Sequence, residues 1–212
     1  MMAYDLQEQE QIEAIKSWWE RYGTLVIAAV VACVLTITAF QGWRYYRHQQ
    51  SIAAVTLYDQ LTQAERANDH KRVRDIAAQV IDRYSRTPYA AMAALSAARA
   101  AFETGDLDAA KTHLQWVIER AREEEMKDLA RLRLAGVLLD QKKHDEALAL
   151  VNAPHSAAFD ALYADMKGDI LLAQGKRGDA RGAYQQALEK SDPRSPYRPM
   201  IQAKLDALGE AK

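Results

Sequence analysis

The stretch LLAQGKRGDARGAYQQAL, residues 171–188, decides the fold. It reads as the end of one helix, a glycine turn at Gly175, and a second helix with the small Ala180 followed one turn later by the large Tyr184. AFETGDLDAAKTHLQWVI, residues 101–118, repeats that frame with Gly105, Ala110 and Leu114. Between them, LLDQKKHDEALALV at residues 138–151 keeps Ala147 and Val151 but has Lys142 where the glycine should be. The alanines fall at 110, 147 and 180, a period near that of tetratricopeptide helix pairs. The physics is local: glycine permits the left-handed turn that ends a helix, and alanine lets two backbones approach. Ala98, Ala135 and Gly168 are the matching small positions on the first helix of each pair.

Outward from these repeats the chain remains helical in composition. Ala, Leu, Gln, Glu, Arg and Lys dominate, and the five prolines sit at breaks between helical patterns. Helices are expected at about 48–67, 71–84, 89–104, 107–122, 126–141, 144–152, 157–174, 177–190 and 197–208, with end positions loose by a few residues. Three recognisable repeats are expected, flanked by capping helices, and NDHKRV at 68–73 only hints at a further turn. The fold class is therefore all-α, a tetratricopeptide-like solenoid.

Before the repeats lies a different kind of segment. GTLVIAAVVACVLTITAF, residues 23–40, has no charge and no proline, in a chain of which 27% of residues are charged. Extended to Trp43 it spans about 31 Å as a helix, close to the ~30 Å thickness of a hydrocarbon core. Trp18, Trp19 and Tyr22 precede it, and Trp43, Tyr45 and Tyr46 follow, as aromatic belts at two membrane surfaces would. Arg21, Arg44 and Arg47 are placed to hold their charges among headgroups. A buried core helix needs no such flanks. A cleaved signal has a short basic start, whereas residues 1–22 carry Asp5, Glu8, Glu10, Glu13 and Glu20 against Lys16 and Arg21. VVAC at 30–33 resembles a lipoprotein processing box, but Cys33 lies in mid-run with VLTITAF still to come. The expected organisation is a tail at 1–22, a transmembrane helix at 23–43 and a tetratricopeptide-like domain at 44–212.

Charge and chemistry exclude several functions. The chain carries 28 Lys+Arg and 29 Asp+Glu; residues 1–43 hold 2 and 5 of these, so the remainder holds 26 and 24. That near balance offers no basic field for nucleic acid, and HKRVR at 70–74 reads as a solvated helix face. Cys33 is the only cysteine, so the repeat domain has no disulfide and no thiolate metal site. His48, His70, His113, His144 and His155 do not pair at a metal-ligand spacing. No nucleophile elbow, phosphate loop, dinucleotide fingerprint or zinc-protease motif is present. No enzyme activity and no cofactor are expected. In the tail, Ile12, Ile15, Trp18 or Trp19, and Tyr22 recur at helical spacing opposite an acidic face. That pattern suits a lead-in to the membrane or a docking helix for a cytosolic protein.

Taken together, QIEAIKSWWERYG (11–23), the exit GWRYYRHQQ (42–50), TPYAAMAALSAARAAFETGDLDAAKTHL (87–114) and GDILLAQGKRGDARGAYQQALE (168–189) resemble the YfgM-type family of ancillary subunits of the bacterial SecYEG translocon. The resemblance covers nearly the full length and is sharpest at Gly42–Tyr45 and in the final repeat. It implies a single-pass inner-membrane protein with a cytoplasmic tail and periplasmic repeats. It also implies association with SecYEG and with the membrane-anchored periplasmic chaperone PpiD. The basic residues alone leave orientation nearly tied, with Lys16 and Arg21 before the span and Arg44 and Arg47 after it. A second reading is a regulator whose tail controls a cytosolic signalling protein while the repeats act as sensor.

A partner should bind the concave surface lined by the first helices of the repeats. That surface is expected to carry Met92, Leu95, Arg99 and Phe102, then Leu132 and Leu139, then Leu162, Asp165, Asp169 and Leu172. Most are apolar, and of the basic residues a carboxylate clamp requires only Arg99 fits. An apolar groove suits an amphipathic helix or an unfolded apolar segment. The alternative is that the helix near 50–66 or the one after Pro199 covers this surface as core.

Overall fold

Every helical pair after residue 50 turns on a residue with left-handed backbone. Asn68 (φ 53°), Gly105 (φ 79°), Lys142 (φ 59°) and Gly175 (φ 78°) occupy the same place in four alternate reversals, the one inside each pair. At each, two backbone bonds close the preceding helix. Gly105 N–H donates to Phe102 O and Asp106 N–H to Ala101 O, both at 2.9 Å, and Lys142 and Lys143 repeat this onto Leu139 and Leu138 at 2.9 and 2.8 Å. The same pair recurs at Gly175 and Lys176, and at Asn68 and Asp69. This is the Schellman closure, which needs positive φ at one residue. The sequence shows it only where that residue is glycine. The fourth turn, at Asn68, extends the repeat pattern one pair beyond the three expected.

The structure is a computed structural model describing residues 2–209, with side chains from residue 16 onward. Its helices are α1 (Met2–Arg66), α2 (His70–Tyr84), α3 (Pro88–Glu103), α4 (Leu107–Arg120), α5 (Glu124–Asp140), α6 (His144–Val151), α7 (Asp160–Ala173), α8 (Arg177–Lys190) and α9 (Arg198–Ala207). A 3-10 turn at Ala157–Phe159 precedes α7, and no strand occurs among the described residues. The chain divides into two units, Met1–Gln50 and Ser51–Lys212. The helix expected to begin near 48 has no start of its own, because α1 passes through that point without a break. Gly42 is the weakest helix former between Phe40 and Ser51, and a single glycine does not by itself end a helix.

In the first unit the apolar side chains face outward: Leu25 is 66% exposed, Leu35 65% and Phe40 59%. α1 is the one helix among the described residues long and apolar enough to cross a membrane. Its polar groups turn inward on their own helix. The hydroxyls of Thr36 and Thr38 donate to the carbonyls of Ala32 and Val34 at 2.8 and 2.7 Å, which suits a segment without water. Trp18 packs on Tyr22 with ring centroids 5.8 Å apart, and the Arg47 guanidinium lies 5.1 Å from the Trp43 ring. Of the helical pattern expected in the tail, the side chains of Ile12 and Ile15 lie outside the described residues.

The second unit is a run of helices, each from α2 onward packed on its sequence neighbour. Ala110, Ala147 and Ala180 are all fully buried, as the close-contact frame requires. Gly168 is equally constrained: a Cβ there would lie 2.6 Å from Cδ1 of the Tyr184 ring. Hydrogen bonds recur between pairs. Gln141 at the end of α5 donates to Asp108 of α4 at 3.2 Å, and Gln174 at the end of α7 donates to Asp145 of α6 at 2.9 Å. The irregular segment between α6 and α7 is held by buried Asp128. Its carboxylate accepts from Arg131 at 2.6 Å and from the Ser156 backbone N–H at 2.9 Å, and its carbonyl accepts from the Tyr163 hydroxyl at 2.9 Å. Burial, with Asp128 adding to it, pushes the Tyr163 phenol up to about 12.

Candidate functional site: the groove of α3, α5 and α7

α3, α5 and α7 are the opening helices of successive pairs. Between them lies a cavity of about 510 Å³. Its walls are Ala98, Arg99 and Phe102 of α3, Leu114 of α4, Arg133, Gly136, Val137, Leu139 and Asp140 of α5, and Met166 of α7. Phe102 stands 43% exposed at its edge. An opening of this size with an apolar lining and a few polar groups is of the kind that takes ligands or partner side chains.

The ten residues assigned to a concave surface divide here. Arg99, Phe102 and Leu139 line the cavity. Leu95 is buried in the main core, while Met92, Leu132 and Leu162 are half-buried and outside the cavity walls. Leu172 is exposed at the far end of α7. Asp165 and Asp169 have an internal partner instead. Lys204 of α9 donates to both Asp165 oxygens at 2.9 Å and to Asp169 at 2.7 Å. Asp169 also accepts from the Tyr184 hydroxyl at 2.7 Å. The helix after Pro199 thus ties down the last helical pair at Asp165 and Asp169.

Sequence reasoning passed over Arg133, Gly136, Val137, Asp140 and Met166. Spacing was the available signal for two of them, since Met166 lies four residues after Leu162 and three before Asp169, on their face of α7. Gly136 lies four residues after Leu132 and three before Leu139, so it shares their helix face. Arg133 is one residue off that face and reaches the cavity with its long side chain.

The two arginines differ in circumstance. Arg99 donates from Nε to Glu103 at 2.8 Å, and that hydrogen bond is the main cause of its raised pKa. Arg133 has no carboxylate within 4.0 Å among the described residues. Desolvation, and then the Arg99 charge, lower its pKa, although at these values the guanidinium stays charged. No group of three metal-binding side chains is found among the described residues.

A tetratricopeptide repeat-like domain profile matches residues 16–210. The ancillary SecYEG translocon subunit of Neisseria gonorrhoeae is 33% identical over 211 residues, which is 98% of this chain and 100% of that protein. The chain belongs to this family. The protein of the same description from Haemophilus influenzae is 31% identical over 189 residues, 88% of this chain and 91% of its own length. That from Escherichia coli K12 is 29% identical over 202 residues, covering 95% and 96%. The family's repeats are those of binding modules, and the descriptions of these relatives name no enzyme. The matched region runs through both the apolar part of α1 and the groove.

Proposed function

We propose that the chain is a membrane-anchored adaptor of the SecYEG translocon that assists newly translocated proteins by binding rather than by catalysis. The observation that carries this is the full-length likeness to ancillary SecYEG translocon subunits, in a chain with one helix apolar enough to serve as anchor. Residues 23–43 cross the inner membrane, 1–22 form a cytoplasmic tail, and 44–212 form a periplasmic repeat domain. The repeats present their groove to a partner, for which the membrane-anchored chaperone PpiD is the candidate that the family resemblance implies. Met92, Leu95, Leu132 and Leu162 then support the groove from behind, and Arg99, Phe102 and Leu139 meet the partner.

Chemical crosslinking in intact membranes, followed by identification of the linked chains, tests this. SecY, SecE or SecG and a membrane-anchored periplasmic chaperone are the expected products. A crosslink pattern without any translocon component overturns the proposal.

A further inference from the structure

The groove combines three features that the fold itself leaves unused. The first is Gly136, in the interior of α5, where glycine weakens a helix. Gly168 shows what a structurally required glycine looks like, with the Tyr184 ring against it. At Gly136 a Cβ would meet only Cε of Met166, at an ordinary 3.6 Å. The repeats would accept alanine there, and glycine deepens the groove floor instead. The second is Arg133, charged, at the groove wall and without a carboxylate within 4.0 Å among the described residues. The third is the apolar lining of Phe102, Leu139 and Met166. Asp140, also at the wall, lies two turns further along α5, about 10 Å by helical rise.

We propose that this groove receives an acidic amphipathic helix of a partner protein, packed closely over Gly136, with its apolar residues on Phe102, Leu139 and Met166 and a carboxylate on Arg133. The inference rests on the reading that the repeats act by binding. Helix-in-groove recognition uses apolar anchors at i, i+3 or i+4, and i+7, and a glycine under the contact lets the helix backbone come near. Charge complementarity sets the polarity. The unpaired guanidinium selects a carboxylate at one end of the helix, and Asp140 disfavours a second one two turns on.

The test uses the full chain in lipid nanodiscs and three labelled 18-residue helical peptides. All carry leucines at i, i+4 and i+7, and they differ only in Glu, Gln or Lys at one flanking end. Fluorescence anisotropy at low and at moderate salt reads the affinities. The Glu peptide should bind at least tenfold tighter than the Gln peptide, and the Lys peptide weakest. Arg133→Glu should invert the order without lowering the thermal midpoint, since Arg133 has no internal ion pair to lose. Gly136→Ala should raise the midpoint and weaken the Glu peptide. Equal binding of all three peptides, no binding of any, or an order unchanged by Arg133→Glu overturns the assignment. Any of those results leaves translocon crosslinking of the wild type as it was. Conversely, absence of translocon crosslinks overturns the adaptor reading while the peptide order remains measurable.

Discussion

Lys142 holds a conformation that glycine holds at two of the three equivalent turns. Its φ of 59° lies in the left-handed region, where a Cβ costs roughly 1–2 kcal/mol. Asn68, at φ 53°, suffers less because asparagine tolerates that region. Glycine at 142 would relieve the strain but loosen the unfolded chain, leaving a net gain of about 0.5–1 kcal/mol. Lys142→Gly is therefore expected to raise the thermal midpoint of the full chain by a few degrees. A lowered midpoint would mean that the Lys142 side chain contributes more than the turn costs. The residue scale is also where the sequence was most readable. Gly105 and Gly175 mark their turns openly, and Ala110, Ala147 and Ala180 mark the close contacts. Asn68 and Lys142 do not, because the property that counts there is a backbone angle and not a side-chain type.

At the level of elements, the helices were readable from composition and the prolines, but their tertiary partners were not. α9 is the clearest example. It is fixed to α7 by Lys204, which is 35 residues from Asp169 and 39 from Asp165, and no local pattern announces so distant a pair. Arg133 escaped notice for a related reason: its reach into the groove depends on a long side chain at the margin of a face. The α9 lock has a consequence in pH. Desolvation opposes the Lys204 charge, but Asp169 and Asp165 outweigh it and raise its pKa above the ordinary 10.5. Burial first, then the bond to Asp169, raises the Tyr184 phenol above 10.0. Both groups hold their protons more tightly in the folded chain than in the unfolded one. Their stabilisation is complete below about pH 10 and is lost as pH rises through the raised values. Asp165 is also raised, chiefly by burial, so its charge at neutral pH is a cost that Lys204 only partly offsets. Lys204→Met should lower stability at pH 8 by about 2 kcal/mol, since it strands two carboxylates. Asp165→Asn should lower it less. The deficit of Lys204→Met relative to the wild type should shrink between pH 10 and pH 12. Parallel alkaline unfolding curves for the two would show that Lys204 contributes packing alone.

Across the whole molecule the two units handle apolar surface in opposite ways. The repeats bury theirs among alanines, while the first unit leaves Leu25, Ile27, Val34, Leu35, Ile37 and Phe40 more than half exposed. In water each such side chain forgoes roughly 1.5–3 kcal/mol of burial, and a lipid environment supplies it. A helix with this surface is long and apolar enough to cross a bilayer, yet a bilayer does not by itself choose an orientation. Lys16 and Arg21 stand against Arg44 and Arg47, and the acidic tail counts for little in the positive-inside rule. The cytoplasmic tail proposed above is open to a direct measurement. In intact cells, added protease should leave the full chain uncut. In spheroplasts it should digest residues 51–209, leaving a membrane-embedded fragment that contains the apolar run and resists alkaline carbonate. Digestion should follow opening of the outer membrane alone, with no detergent. If the repeats survive in spheroplasts and are cut only after the inner membrane is dissolved, they face the cytoplasm. The groove would then be on the wrong side of the membrane to meet a translocated chain, and the adaptor function would have to be given up.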